Sequence, residues 1–531
     1  RGGLVHSTQV PGEAAILVRY MGQVAVSRIT RPQPGVVFER PPEHNFIDKH
    51  VWDRLAELGI PPSPIADDAT FLRRVCLDTI GTLPGVDATR KFLADKDPAK
   101  RNKLVAGLLE RDEYADYWAM KWADVLRVDN QKLTPQVTVA ITRWLRRQMA
   151  ENVPYDRFAS EIVTVRGNTR SQTPAAIYTV LKSPEELARS VSQLFLGVRI
   201  ECAQCHHHPF EKWAQRDYFA LAGFFTGVKR GGAPGGGQKI TDVAGSDLKH
   251  PRSGEPVPTS GLGSDPITLD DPSGRRRAFS EWMTSAENPF FARTIANRLW
   301  AHYFGRGLVE PIDDHRATNP ASNEKLLDAL SIHLRRTKYD LKAFTRTLLA
   351  SRAYQLSSST LPLNELDDQN YSHASQKAMP AEVLLDAICQ ATGVPEQFNG
   401  WPLGSRAIEI WDNRLPSYFF QIFGRPQRVS VCECERGNEP SIAQALHLMN
   451  SPESFHKIRH RDGRAARLAA AGLTDNQVIA ELFLATLSRL PTARETTLLK
   501  VAFQESAPKR REAIEDILWT LLNTKEFLYN H

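Results

Sequence analysis

Two thiols and an imidazole stand together in Cys202-Ala203-Gln204-Cys205-His206. Thiols at this spacing can each form a thioether with a vinyl group of one rigid porphyrin, and the imidazole that follows lies within reach of its iron. The string therefore reads as the attachment site of a c-type haem, with Cys202 and Cys205 as covalent anchors and His206 as proximal ligand. Two other readings fit the same residues. Cys202, Cys205, His206 and His208 are a donor set for zinc or iron. The two cysteines alone would also serve as a disulfide or a redox dithiol. His207 and His208 sit too close in sequence to reach the opposite face of the same ring, which leaves them to packing or to a propionate.

The sixth iron ligand is left open. His447 and Met449, within Ser441-Ile442-Ala443-Gln444-Ala445-Leu446-His447-Leu448-Met449, are candidates that point to different faces of one helix. His302 and His315 are two more. A methionine ligand raises the potential, and an open position favours catalysis over simple electron transfer.

Cys432-Glu433-Cys434 is a second unusual string. Thiols one residue apart form a strained, labile disulfide, so these two read as a redox pair or as metal ligands. Separate thiols, or pairing with Cys76 or Cys389, are the plainer readings. The charged neighbours Glu435, Arg436, Asn438 and Glu439 fit a buried ionic knot equally well. Asp313-Asp314-His315-Arg316 looks like an acid–base or metal cluster, but adjacent carboxylates usually diverge, so capping and pairing explain it. No nucleophile elbow, phosphate-binding glycine loop or zincin string is present.

The elements that must position these groups are mostly helical. Ser183-Pro184-Glu185-Glu186 is a capping box with proline at the first helical position. Leu187, Val191, Leu194, Phe195 and Val198 then share one face, and Gly197 suits the C-terminal cap. The cysteines thus follow a well-anchored helix. Upstream, residues 71–78, 87–97, 98–111 and 112–127 read as helices, the last with an aromatic stripe of Tyr114, Tyr117, Trp118 and Trp122. That stripe is a packed core face or else a wall beside the haem. Downstream, helices are expected at 276–285, 289–303, 322–336 and 340–351. Thr474 with Gln477, and Thr492 with Glu495, are further capping boxes.

Residues 1–31 alternate apolar and polar positions around Gly22, as a β-hairpin does, and 32–45 are proline-rich. Residues 229–268, with Gly231-Gly232-Ala233-Pro234-Gly235-Gly236-Gly237, read as a flexible linker or insert. The fold class is therefore mainly α: two helical domains with a short N-terminal β remnant. Their expected bounds are 1–31 for the end of a β-sandwich, 46–228 for a helical cytochrome c-type domain, 229–268 for the linker or insert, and 269–531 for a second helical domain.

Composition narrows the function classes. The 531 residues are 41% apolar and 24% charged, ordinary for a globular protein of several domains. Net charge is +6, from 67 basic and 61 acidic residues, with no lysine-rich arm or basic–aromatic stripe that would point to nucleic acid. No apolar run of about 18 residues exists to span a membrane. Six cysteines are too few for a disulfide scaffold. The chain opens at Arg1 inside a strand-patterned segment, as a mature or shortened piece would.

Several longer strings carry a resemblance. Phe71–Asp78 with Gly81 and Pro84, Tyr117–Trp122, Gln193–Cys202 and Cys205–Phe210 resemble the planctomycete cytochrome-like domain. Asn288–Arg293, Asn297–Trp300, Tyr303–Val309, Pro380–Glu382, Cys432–Arg436 and Leu521–Leu528 resemble the uncharacterised domain that usually accompanies it. Together they cover about 45–531, and residues 1–31 are similar to the end of a bacterial immunoglobulin-like domain. The resemblance implies an exported protein with one covalent haem c, working with a redox partner protein or a further haem domain. It assigns no reaction. Electron transfer in the periplasm, or elsewhere outside the cytoplasm, is the first expectation. A haem-dependent oxidoreductase acting on carbohydrate or a small oxidant is the second. A non-haem metal-binding or structural protein is the third.

Overall fold

Capping side chains set most of the helix starts in the computed structural model of this chain. It describes every residue except 1–3, 5, 7–11, 21–22, 235, 432–434, 438–439 and 506–508. Asn45 and Asp48 form a reciprocal box that opens the helix Phe46–Leu58, and Gly59 closes it at φ 70°. Ser183 with Glu186 and Thr474 with Gln477 do the same for Pro184–Val191 and Asp475–Thr486. Each such cap satisfies amide groups that a helix end leaves orphaned, and contributes about 1 kcal/mol. The expected helices are present, as Val86–Ala94, Lys100–Leu109, Asp112–Val125, Arg275–Thr284, Phe291–Phe304, Glu324–Arg336 and Leu341–Ala350. The protein is mainly α, with sheets of two or three strands.

The chain forms two compact units, and neither is one stretch of sequence. The first takes residues 1–64, 125–375 and 429–432; the second takes 65–124, 376–428 and 433–531. In the first unit, Phe291, Ile295, Leu299, Trp300 and Tyr303 on one helix are buried. Tyr155 stacks on Phe291 with ring centroids 5.1 Å apart. The N-terminal strands Gly12–Tyr20 and Gln23–Arg31 pair antiparallel from Gly12↔Arg31 to Tyr20↔Gln23. Arg54 of the helix Phe46–Leu58 holds this hairpin through Glu13 at 2.6 Å.

Residues 229–268, expected as a linker or insert, carry strands and fall within the first unit. Val228–Gly232 and Gln238–Asp242 pair antiparallel, and Gly167–Asn168 adds a third strand at the edge of Gln238–Asp242. Ile240 is fully buried, and the buried Arg276 reaches Asp242 at 2.6 Å. A glycine-rich composition hid strands anchored by the buried Val228 and Ile240 and by one buried ion pair.

In the second unit, the stripe Tyr114, Tyr117, Trp118 and Trp122 is buried, as a core face. Arg73, 1% exposed, donates to the carbonyls of Thr486 and Phe527, both at 2.8 Å. Helix Asp68–Ile80 is thereby tied to segments more than 400 residues further along. Helix Ala381–Thr392 packs Ala381 and Leu385 against Phe398, Ile410 and Phe420.

Candidate functional site: the Cys/His turn

The helix Pro184–Val191 ends in a wider π turn, Ser192–Leu196, and the chain reverses at Gly197 with φ 64°. Ser192 locks the reversal by donating its hydroxyl to the Val198 carbonyl at 2.9 Å. A short 3-10 turn, Glu201–Gln204, follows. Ile200 and Ala203 are fully buried and plug this turn into the first unit. Cys202, Cys205, His206 and His207 are consequently held outward, exposed. The turn is braced from both sides: Arg189 pairs with Glu201 at 2.6 Å, and Gln215 donates to the Gln204 carbonyl at 3.0 Å.

Cys202 and Cys205 are free thiols. The Nδ1 atom of His206 lies 2.7 Å from the His207 carbonyl. A carbonyl can only accept, so Nδ1 carries the proton and the lone pair is left on Nε2. His208 is turned the other way. Its ring is 7% exposed, and its Nδ1 accepts from the Phe210 amide at 3.2 Å. The structure therefore gathers Cys202, Cys205 and His206 at one surface turn and separates His208 from them. Among the described residues, no group of three or more His, Cys, Asp or Glu side chains is placed to hold a metal ion.

The loop 313–318 backs the turn. Asp313, 2% exposed, accepts from Gln193 at 2.6 Å and from Nε of Arg199 at 3.0 Å. Asp314 diverges from it and pairs with Arg316 at 2.9 Å, while burial pushes the Asp314 carboxyl up. The Arg316 guanidinium lies 5.5 Å from the exposed Phe210 ring. Glu211, 8% exposed, accepts from the Ala317 amide at 2.7 Å. Sequence reasoning missed Arg199, Gln193 and Glu211 as supports, because each finds its partner more than a hundred residues away and nothing local marks it.

His315 is buried behind Gly197. Its amide donates to the Gly197 carbonyl at 2.7 Å, and its Nε2 has no hydrogen-bond partner among the described residues. Burial, reinforced by Arg293, lowers its imidazole to about 3. Between about 6.5 and 3 the unfolded imidazole is protonated and the folded one is not, so stability is lost as pH falls through that window. His315→Gln should flatten the acid limb, removing on the order of 1 kcal/mol per pH unit below 6. Denaturation midpoints at pH 4.5, 5.5 and 7 for both proteins check this.

Gly197 has no room for a side chain. A Cβ there would lie 2.5 Å from Cδ2 of His315 and 2.8 Å from Oγ1 of Thr294, on backbone already left-handed. Gly197→Ala should therefore cost about 2–4 kcal/mol, from left-handed strain plus overpacking. Denaturant unfolding followed by tryptophan fluorescence reads that loss.

The other expected ligands are spread widely. His302, in the first unit, meets the Tyr303 ring at 4.8 Å. His447 and Met449 belong to the second unit. His447 sits among Tyr418, Phe419 and Phe423, while Met449 is 41% exposed. Cys432 and Cys434 lie outside the described residues. Cys76 and Cys389 are free thiols, and burial pushes them up, Cys76 to about 12 and Cys389 to about 11. Among the described residues, no helix is long and apolar enough to cross a membrane.

Two family models match. Residues 46–230 match PSCyt2, described as a protein of unknown function (DUF1549). Residues 275–503 match PSD1, also described as a protein of unknown function (DUF1553). No curated protein and no solved structure matches the chain.

Proposed function

We propose that this chain, a DUF1549 domain followed by a DUF1553 domain, is an exported c-type haem protein that transfers electrons outside the cytoplasm. One observation carries the reading: two free thiols and an imidazole with its Nε2 lone pair available stand exposed on a single braced turn. That donor set fits a covalent haem. Cys202 and Cys205 Sγ would hold the ring edge, and His206 Nε2 would face the iron. A haem bound there supplies a reversible one-electron couple whose potential follows axial ligand and burial.

The chain's own residues do the positioning. Ile200 and Ala203, fully buried, fix the turn, so the three side chains need little reordering. The His207 carbonyl accepts from Nδ1 of His206, which in the neutral ring leaves the lone pair on Nε2, the ligating nitrogen. Covalent haem attachment in bacteria takes place outside the cytoplasmic membrane, which puts the mature protein in the periplasm or beyond. Its partner is then a redox protein or a second haem domain. The N-terminal hairpin reads, by the same resemblance to planctomycete proteins, as the end of an immunoglobulin-like unit.

The test is the visible spectrum of protein from its native host, oxidised and dithionite-reduced, with a haem stain after denaturing electrophoresis. A sharp reduced α-band and a stain that survives denaturation are expected. A colourless, unstained protein sinks the reading, and metal analysis with thiol mapping of Cys202 and Cys205 then decides what the turn holds.

A further inference from the structure

The second unit contains a cavity of about 280 Å3 that the haem reading does not use. Its floor is apolar, from Leu385 and Ile388 on the helix Ala381–Thr392 and from Leu415. Phe398 borders it, stacked on Phe420 with centroids 6.0 Å apart and planes at 9°. Tyr418, Phe419 and His447 form the walls, with the His447 ring 5.5 and 5.6 Å from the two aromatic rings. Burial lowers the His447 imidazole, against a smaller upward pull from Glu453.

Most polar groups of the lining are already engaged. Lys457 is 6% exposed, and its ammonium lies 3.1 Å from Glu396, 3.4 Å from the Val394 carbonyl and 3.3 Å from the Pro395 carbonyl. Its three donors are spent inside the protein. The Ser417 hydroxyl caps the helix Tyr418–Ile422, and the Ser454 hydroxyl accepts from Ser451 at 2.9 Å. Glu453 differs from these: it is exposed at the rim and has no ion pair among the described residues. The cavity thus offers aromatic side chains, an apolar floor and one carboxylate that has no ion pair among the described residues.

We propose that this cavity binds an organic cation, an ammonium group carried on a small apolar body. Aromatic faces attract a cation through their quadrupole, and Glu453 adds a full negative charge at the mouth. An anion would meet Glu453 with no uncommitted cation to receive it, since Lys457 is neutralised by Glu396. A sugar would find little beyond the Gln397 and Asn399 amides for its many hydroxyls. The volume lies just below the usual range of about 300–1,000 Å3, so the occupant is small. This inference is independent of the haem reading.

Calorimetric titration of the full chain with choline and with phenylethylammonium tests it. Saturable binding of at least one is expected. Its neutral counterpart, 3,3-dimethylbutanol for choline or phenylethanol for phenylethylammonium, should bind about tenfold more weakly, as should the cation to Glu453→Gln and Tyr418→Ala. Glu512→Gln, an exposed change elsewhere in the same unit, should bind as the native chain does. Thermal melting equal to that of the native chain qualifies each variant; if either melts low, the cation–neutral comparison on the native chain decides alone. Absence of saturable binding by both cations, equal binding of the neutral counterpart, or tighter binding of methyl glucoside than of either cation overturns the proposal.

Discussion

Protein carrying Cys202→Ser and Cys205→Ser together should emerge from its native host without covalent haem: no stain after denaturation and no reduced α-band. The expected effect is complete loss, because a hydroxyl forms no thioether with a vinyl group. Both side chains are exposed and neither is paired, so the serines should change stability by no more than about 0.5 kcal/mol. Loss of pigment would then come without loss of fold, which circular dichroism on the same samples verifies. Each single variant should keep one thioether and a weaker stain. His206→Ala should leave the attachment while shifting the reduced spectrum, since it removes the ligand and spares the anchors. Pigment retained at the native level in the double variant contradicts the assignment of this turn.

Glu382→Gln should cost about 3–5 kcal/mol, the second large effect. Glu382 is fully buried in the second unit, 3.2 Å from Nε of Arg425 and 2.7 Å from Nη1 of Arg436. Arg436 also reaches Asp124 at 2.7 Å, and Asp124 receives Nε of Arg428 at 3.0 Å. Three guanidinium groups thus share two carboxylates, and removing one carboxylate leaves buried positive charge uncompensated. Burial opposes ionisation of Glu382, but Arg436 and Arg425 outweigh it and hold its carboxyl well below the usual range. For a depressed carboxyl, the stabilisation is present above the unfolded value of about 4.3 and is lost as pH falls below it. Calorimetry at pH 7 should show one transition falling by about 10 °C in the variant, with the gap to the native protein closing at low pH. A shift under about 2 °C would show that the cluster contributes little.

Local signals were legible in the sequence, and long-range ones were not. Ser183 with Glu186 and Thr474 with Gln477 announce their helices because both partners of each cap lie within four residues. The left-handed turn at Gly197 follows from glycine alone. The spacing of Cys202, Cys205 and His206 was equally readable. By contrast, Arg428 meets Asp124 across 304 positions, and Arg199 meets Asp313 across 114. A run such as Cys432-Glu433-Cys434-Glu435-Arg436 advertises charge but not its partner. The ionic knot expected there does include Arg436, which the structure ties to Glu382 and Asp124. The strands at 228–242 were missed because glycine-rich composition outweighed the buried Val228 and Ile240.

The interleaving of the two units has a practical corollary for anyone dividing the gene. The gap between the matched regions, 231–274, is the natural place to cut if domains are taken from sequence families. A cut there severs the first unit between its strands and its helix Arg275–Thr284, and strands residues 65–124 apart from the rest of the second. Each half would carry an apolar face whose covering lies on the other piece. Nascent chains meet the same difficulty: the helices of 65–124 wait for some 250 further residues before their core partners from 376 onward exist. Folding of the second unit therefore waits until the chain from 376 onward has been made.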